Sequence, residues 1–295
     1  MKKLLYLFAS VLIFLSCNSP KPSNDQAAEK NTPVYSLNKL WSTDTVLLTC
    51  ESVLYDGQRE LLFVSCINGD PSEKNGKGYI ALLHPDGSVK SLEWVTGLNA
   101  PKGMGVFENK LYVTDIDRVA VIDIDKAEII SFIPAEGASF LNDIAIDKDG
   151  TVYFSDSNTG WIWTLSEGVP EPWITEGLDR PNGLLVEKDR VLLTSSGSSD
   201  VKVIDKASGS FETVTRDIGH GDGIEFTGQD GHYMVTSWAG EVFLVLPDFS
   251  RISLLKTSDQ EINSADIGFN KKEQIVYVPT FFDNRVVAYR LESKD

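Results

Sequence analysis

Apolar residues along this chain fall into short runs bounded by glycine, asparagine, aspartate or proline, and one set of runs recurs at a fixed interval. KGMGVF opens at Lys102, NDIAID at Asn142, NGLLVE at Asn182 and DGIEFT at Asp222, forty residues apart each time. ESVLYD at Glu51 and ADIGFN at Ala265 are degenerate copies, the former with the insertion NGDPSEKNGKG in its unit. A second run follows in each unit, as in KLYVTD, TVYFSD, RVLLTSS, HYMVTSW and QIVYVPT. Third runs (RVAVID, GWIWTLS, VKVID, EVFLVL, RVVAYRL) and fourth runs (EIISFI, PEPWIT, SFETVT, RISLLK) complete the unit. They are rich in Val, Ile, Tyr, Phe and Thr, are separated by turn residues and show no helical period, so the pattern predicts strands.

Six units of about forty residues, each a four-stranded meander, predict an all-β fold: a six-bladed β-propeller of antiparallel blades. The last unit has only three runs before Asp295, while YSLNKLW (residues 35–41) is a spare strand ahead of the first. Placed as the fourth strand of the last blade, it closes the ring and removes an open edge. The propeller is thus expected to span residues 35–295 as one domain.

Because antiparallel strands alternate direction, one face of the ring collects the starts of all six innermost strands. The residues there are Glu51, Lys102, Asn142, Asn182, Asp222 and Ala265. Behind them stand Ser52, Gly103, Asp143, Gly183, Gly223 and Asp266, where glycine permits close backbone approach. Glu51, Asn142, Asn182 and Asp222 offer only oxygen, a donor set suited to a hard divalent cation, calcium first. The alternative is a wet channel whose polar side chains bond to one another and to water. Lys102 places a cation in the same ring, either to bind a substrate carboxylate or phosphate or to offset the acidic groups. Turns between second and third strands bring Asp115, Asp117, Ser157, Asn158, Trp161, Trp238, Phe282 and Asp283 to the same mouth, a mixture that fits a sugar-like or other polar ring. The insertion from Asn68 to Gly78 reads as a solvated turn rather than a lid.

The first residues lie outside this pattern. MKKLLYLFASVLIFLSC has a basic start and an apolar stretch too short to span a bilayer as a mature helix. Residues 1–16 read as a signal peptide, and Phe14-Leu15-Ser16-Cys17 as a lipobox that makes Cys17 the lipidated residue. Residues 17–34 then form a polar tether. This predicts a lipoprotein of the bacterial cell envelope, facing the periplasm or the exterior and touching the membrane only through its anchor. The net charge of −16, which becomes more negative once Lys2 and Lys3 leave with the leader, disfavours nucleic acid and anionic lipid as partners. Cys50 and Cys66 flank the hairpin ESVLYDGQRELLFVS and fall nearly opposite each other. Two readings stand: a disulfide, which export permits, or two buried thiols. No CxxC or Cys/His zinc pattern exists.

CESVLYD, RPNGLL and HGDGIEF together resemble the senescence marker protein, gluconolactonase and luciferin-regenerating enzyme family, which includes regucalcin; paraoxonases and diisopropylfluorophosphatase are more distant relatives. The likeness covers nearly the whole mature chain. It implies a six-bladed propeller with one divalent ion in its channel, held by Glu51, Asn182 and Asp222, with Asn142 in FLNDIAID lining the pocket. It implies Ca2+, or else Mg2+, Mn2+ or Zn2+, and hydrolysis of a lactone or sugar-like ester with Asp222 as general base. His220 is a second candidate for proton transfer, its alternative being a loop histidine bonded to backbone. Lys102, His220 and Trp238 are the substrate-binding candidates. Lys102 departs from the family pattern. A non-catalytic propeller that binds a ligand or protein at the envelope is the competing reading, and a monomer is expected in either case.

Overall fold

The computed structural model describes residues 34–294. The lipobox, Cys17 and the expected leader and tether boundaries lie outside the described residues, apart from Val34, which opens the first strand. Six four-stranded antiparallel sheets form the ring. Blade 1 consists of Cys50–Asp56, Leu61–Cys66, Gly78–Leu83 and Val89–Leu98. The innermost strands of blades 2 to 5 are Pro101–Phe107, Leu141–Ile146, Pro181–Val186 and Gly221–Phe226. Blade 6 is built from Gly268–Asn270, Ile275–Pro279 and Val286–Lys294, with Val34–Ser42 as its outer strand. That strand pairs antiparallel from Val34 opposite Lys294 to Ser42 opposite Val287, so the ring closes between the two ends of the described chain.

The core lies between blades. Alternating residues of adjacent sheets interlock, for instance Leu62, Val64 and Ala81 of blade 1 against Tyr277, Val286 and Ala288 of blade 6, and Val113 and Ala120 of blade 2 against Phe63 and Ile80 of blade 1. Both faces of the middle strands are therefore covered, which is why their sequences are almost continuously apolar.

The inner strands carry a feature that periodicity alone did not reveal. In blade 3 Leu141 faces Asp156 but Ile144 faces Phe154, so one extra residue is accommodated at Asn142-Asp143. The same slip occurs at Lys102-Gly103, Asn182-Gly183 and Asp222-Gly223, and at Glu51 in blade 1. Each is a β-bulge, which interrupts the ladder and re-aims the side chains at that point. A hydroxyl from the second strand takes up the freed backbone groups. Thr236 Oγ1 accepts from Gly223 N (2.8 Å) and donates to Ala265 O of the next blade (2.9 Å). Thr114 and Thr194 donate likewise to the carbonyls of Asn142 and Asp222, and the hydroxyls of Ser65 and Ser155 accept from the amides of Ser52 and Asp143 at 3.0 Å each. In QIVYVPT the corresponding residue is Pro279, which has no hydroxyl and no N–H. The inner strand of blade 6 accordingly begins only at Gly268, and Asp266 bonds sideways to blade 1, its N donating to Glu51 O (3.0 Å) and its O accepting from Val53 N (3.1 Å).

Cys50 and Cys66 stand directly opposite in the ladder, yet both are free thiols. The Cys50 Sγ donates to Arg285 O at 3.0 Å, while the Cys66 Sγ is directed at Val64 O (4.0 Å). Facing positions alone do not orient the sulfurs for bonding. Burial pushes the Cys50 thiol up to about 12, so it is a packed, unreactive group beside the channel.

Replacing Thr236 by valine keeps the shape but leaves Gly223 N and Ala265 O without a buried partner. Chemical denaturation should show a loss of about 1–3 kcal/mol relative to wild type.

Candidate functional site

The channel mouth is a cavity of about 530 Å³ in which Glu51, Lys102, Asn142, Asn182 and Asp222 meet. All five are buried. Three of their oxygens, Glu51 Oε2, Asn182 Oδ1 and Asp222 Oδ1, have no hydrogen-bond partner. Buried acceptors are normally satisfied, so three orphaned oxygens on residues that line one cavity point to a partner that accepts lone pairs. Asn142 is oriented by its surroundings: its Nδ2 donates to Ser157 Oγ (3.0 Å), which in turn donates to Pro181 O (2.7 Å).

The electrostatics fit a cation. Burial, and then the nearby Asp222 and Asp266 carboxylates, hold Glu51 well above the usual carboxylate range; burial and Asp266 do the same for Asp222, opposed by the Asn182 amide. A positive ion on the orphaned oxygens relieves both costs. Among the described residues no group of three or more His, Cys, Asp or Glu side chains forms a metal cluster. The set here has only two such residues, its other oxygens being amides, which suits a hard ion of the calcium type. Lys102 is the discordant member. Its Nζ donates to Pro71 O and Ala100 O, both at 3.1 Å, and sits 4.4 Å from the centre of the Phe140 ring. Burial pulls this ammonium down, against the field of Glu51.

One residue further along the inner strands, Asp143 and Asp266 close the floor. Asp143 accepts from Ile144 N and Leu184 N at 2.6 Å each, and Asp266 accepts from the Ser52 hydroxyl. Burial and then the nearby Asp266 raise Asp143, whereas burial raises Asp266 against hydrogen bonds from the Ser52 hydroxyl and the Ile267 amide. Glycine is required around them. A Cβ on Gly103 would lie 2.4 Å from Asp143 Oδ1, and one on Gly223 would lie 2.6 Å from Asp266 Oδ1. The sequence placed these aspartates behind the mouth and gave them no role; their signal was the acidic residue in the slot where three other blades have glycine.

Two residues before the mouth ring, Phe140, Arg180 and His220 form the rim of the same cavity, with Trp238, Phe281 and Phe282 as an aromatic wall. Trp238 packs edge-on against both phenylalanines, at 5.5 and 6.1 Å between ring centres. Phe140, Arg180 and Phe281 had not been singled out. Of the turn residues expected at the mouth, only Trp238 and Phe282 line the cavity. Asp115 instead accepts from Asn99 N and Ala100 N and pairs with Arg118 at 2.8 Å. Ser157 holds Asn142, Asn158 bonds to Asp156 and Ser139, and Trp161 packs on Trp163. Asp117 and Asp283 pair with Lys74 and Arg285. The blade 1 insertion is not a free solvated turn: Pro71 lines the cavity, Lys102 fastens its carbonyl, and Gly76 N donates to Asn99 Oδ1 (3.2 Å).

No protein-family model matches the chain, and no curated protein matches it. Among solved structures it is similar to a streptogramin B lyase, with 14% identity, a TM-score of 0.63 and coverage of 88% of this chain and 98% of the other. It is also similar to a catalytically inactive histidine-to-alanine variant of virginiamycin B lyase from Staphylococcus aureus with quinupristin, at 13% identity and TM-score 0.60, covering 88% and 99%. A nidogen/laminin complex matches at 15% identity and TM-score 0.64, covering 75% of this chain and 85% of the other. At these identities the likeness shows the six-bladed propeller and nothing finer.

The mouth depends on Gly183, whose added Cβ would fall 2.0 Å from Asp222 O and 2.8 Å from Thr194 Oγ1. Gly183→Ala should force blades 4 and 5 apart, costing about 1–3 kcal/mol in a denaturation experiment.

Proposed function

We propose that the protein is a divalent-cation-dependent hydrolase of a lactone or related ester, working at the channel mouth. The observation that carries this is that Glu51, Asn182 and Asp222 line a single cavity and each has a buried oxygen, Oε2, Oδ1 and Oδ1, without a hydrogen-bond partner. Glu51, Asn142, Asn182 and Asp222 would hold the ion. A cation bound there supplies Lewis acidity that polarises the ester carbonyl and offsets charge developing on its oxygen. The chain's own residues do the remainder. Asp222 takes a proton from water as its oxygen bonds to the carbonyl carbon, and that proton passes to the departing alkoxide as the ring C–O bond breaks. The aromatic wall of Trp238, Phe281 and Phe282 holds the substrate's apolar side and excludes bulk water from one flank.

His220, on the rim of the same cavity, favours a second reading. The two neighbouring enzymes are named lyases, and the inactive variant of one lacks a histidine. In this reading His220 removes a proton β to the ester oxygen, and the C–O bond breaks to give an alkene and a carboxylate without water. The rest of the proposal concerns location: we propose export and anchoring in the bacterial envelope through Cys17.

The metal-stripped domain should bind Ca2+ in calorimetry and open members of a lactone panel only when metal is restored. Asn182→Ala and Asp222→Ala should each weaken metal binding and turnover about 10–100-fold or more. In 18O-labelled water, hydrolysis places label in the product carboxylate, whereas elimination does not and creates a double bond. A protein that binds no divalent ion overturns the metal reading; one that binds the ion but opens no ester supports the binding propeller instead. For the anchor, Cys17→Ala should release the protein into the soluble fraction, and persistence with membranes would count against lipidation.

A further inference from the structure

The chain is acidic overall, with 43 Asp and Glu against 27 Lys and Arg, yet two cations without a carboxylate partner line its central cavity. Among the described residues neither Lys102 nor Arg180 takes part in an ion pair. Lys102 is 1% exposed. A buried ammonium without a counter-ion is costly, and a side chain kept there to neutralise Glu51 would pair with it. Instead the carbonyls of Pro71 and Ala100 hold Lys102 Nζ, with the centre of the Phe140 ring 4.4 Å away, which satisfies two of its three N–H bonds and leaves the third without a hydrogen-bond partner. Lys102 shares its ring with Glu51, whose field supports the ammonium without an ion pair, so its charge is not cancelled by a direct partner.

We infer that the substrate is a flat, apolar lactone or ester bearing a separate carboxylate, with Lys102 and Arg180 holding that carboxylate and Trp238, Phe281 and Phe282 the apolar body. This rests on the ester-cleaving reading for the reactive group, but not for the anion. The layers of the repeat explain the placement. Arg180 precedes Asn182 by two residues and so occupies the rim above the oxygen ring, while Lys102 belongs to the ring itself. The carboxylate lies between these heights, on the side of blades 2 to 4, and the aromatic wall faces it from blades 5 and 6. A single recessed N–H suits one carboxylate oxygen better than a phosphate, which calls for several converging donors.

Calorimetry with phenylacetate and its neutral isostere phenylacetamide tests the inference without any turnover. Wild type should bind phenylacetate about 10-fold more tightly, a margin typical of one recessed charge contact. Lys102→Met should abolish the preference, and Arg180→Gln, an exposed position that does not threaten folding, should reduce it about 3-fold. Equal binding of the two probes, no phenylacetate binding up to about 10 mM, or an unaltered preference in Arg180→Gln overturns the inference. Tighter binding of phenyl phosphate than of phenylacetate overturns the choice of carboxylate. A protein that shows the preference but opens neither neutral nor carboxylated aryl lactones would fail as a hydrolase while the anion site stands. One that opens both with equal kcat/KM keeps the hydrolase and loses the anion site.

Discussion

The bulge at the head of the inner strands of blades 1 to 5 is the constraint on which the rest of the molecule depends. An uninterrupted antiparallel ladder would point successive side chains alternately into one neighbouring blade and the other, and none down the channel axis. By inserting one residue, the chain turns Glu51, Lys102, Asn142, Asn182 and Asp222 inward and strands their backbone groups. Those groups are buried and must be paired. The hydroxyls of Thr114, Thr194 and Thr236 pair them and reach across to the next blade, so one side chain both pins the bulge and fixes the spacing between blades. Site geometry and ring geometry are thus the same set of hydrogen bonds.

Closure supplies the second half of the argument. Val34–Ser42 completes blade 6, whose own inner strand is short because Pro279 stands where the other blades have a hydroxyl. The weak inner edge is compensated on blade 1: Asp266 exchanges backbone bonds with Glu51 and Val53 and accepts from the Ser52 hydroxyl. The junction between the first and last blades is therefore also where a site carboxylate, Glu51, is held by its own backbone.

Much of this was legible in the sequence, because each blade repeats one solution to one packing problem. The forty-residue interval gave the blade count, the missing fourth run gave the closing strand, and the matched phase of Glu51, Asn142, Asn182 and Asp222 brought residues far apart in the chain to one cavity. The bulges were not legible, since a single inserted residue leaves hydrophobic spacing between blades unchanged. The signal lay in the Thr or Ser at the same place in KLYVTD, TVYFSD, RVLLTSS and HYMVTSW, a hydroxyl in otherwise apolar strands. Asp115 misled for a related reason: an acidic residue at a strand end looks like a rim group, but its two carboxylate oxygens are consumed by Asn99 N, Ala100 N and Arg118. The blade 1 insertion misled because its Gly and Lys content says nothing about the recessed ammonium that fastens Pro71.

Repetition also sorts the channel into layers, and the layers divide the chemistry. Rim positions two residues before the bulge differ among blades 3, 4 and 5, as Phe140, Arg180 and His220, and these residues line the cavity. Five of the six ring positions are polar, Ala265 being the exception, and they differ in charge, so Lys102 shares a circle with Glu51 and Asp222. Floor positions are the most restricted: every aspartate there needs glycine beside it, as Asp143 needs Gly103 and Asp266 needs Gly223. A change of substrate within this architecture is consequently cheapest at the rim, harder in the ring and nearly closed at the floor. The two floor carboxyl groups are raised by burial, which favours their neutral form, so they shape the ring above them through hydrogen bonds to Leu184 N and the Ser52 hydroxyl and through glycine-dependent packing rather than through charge.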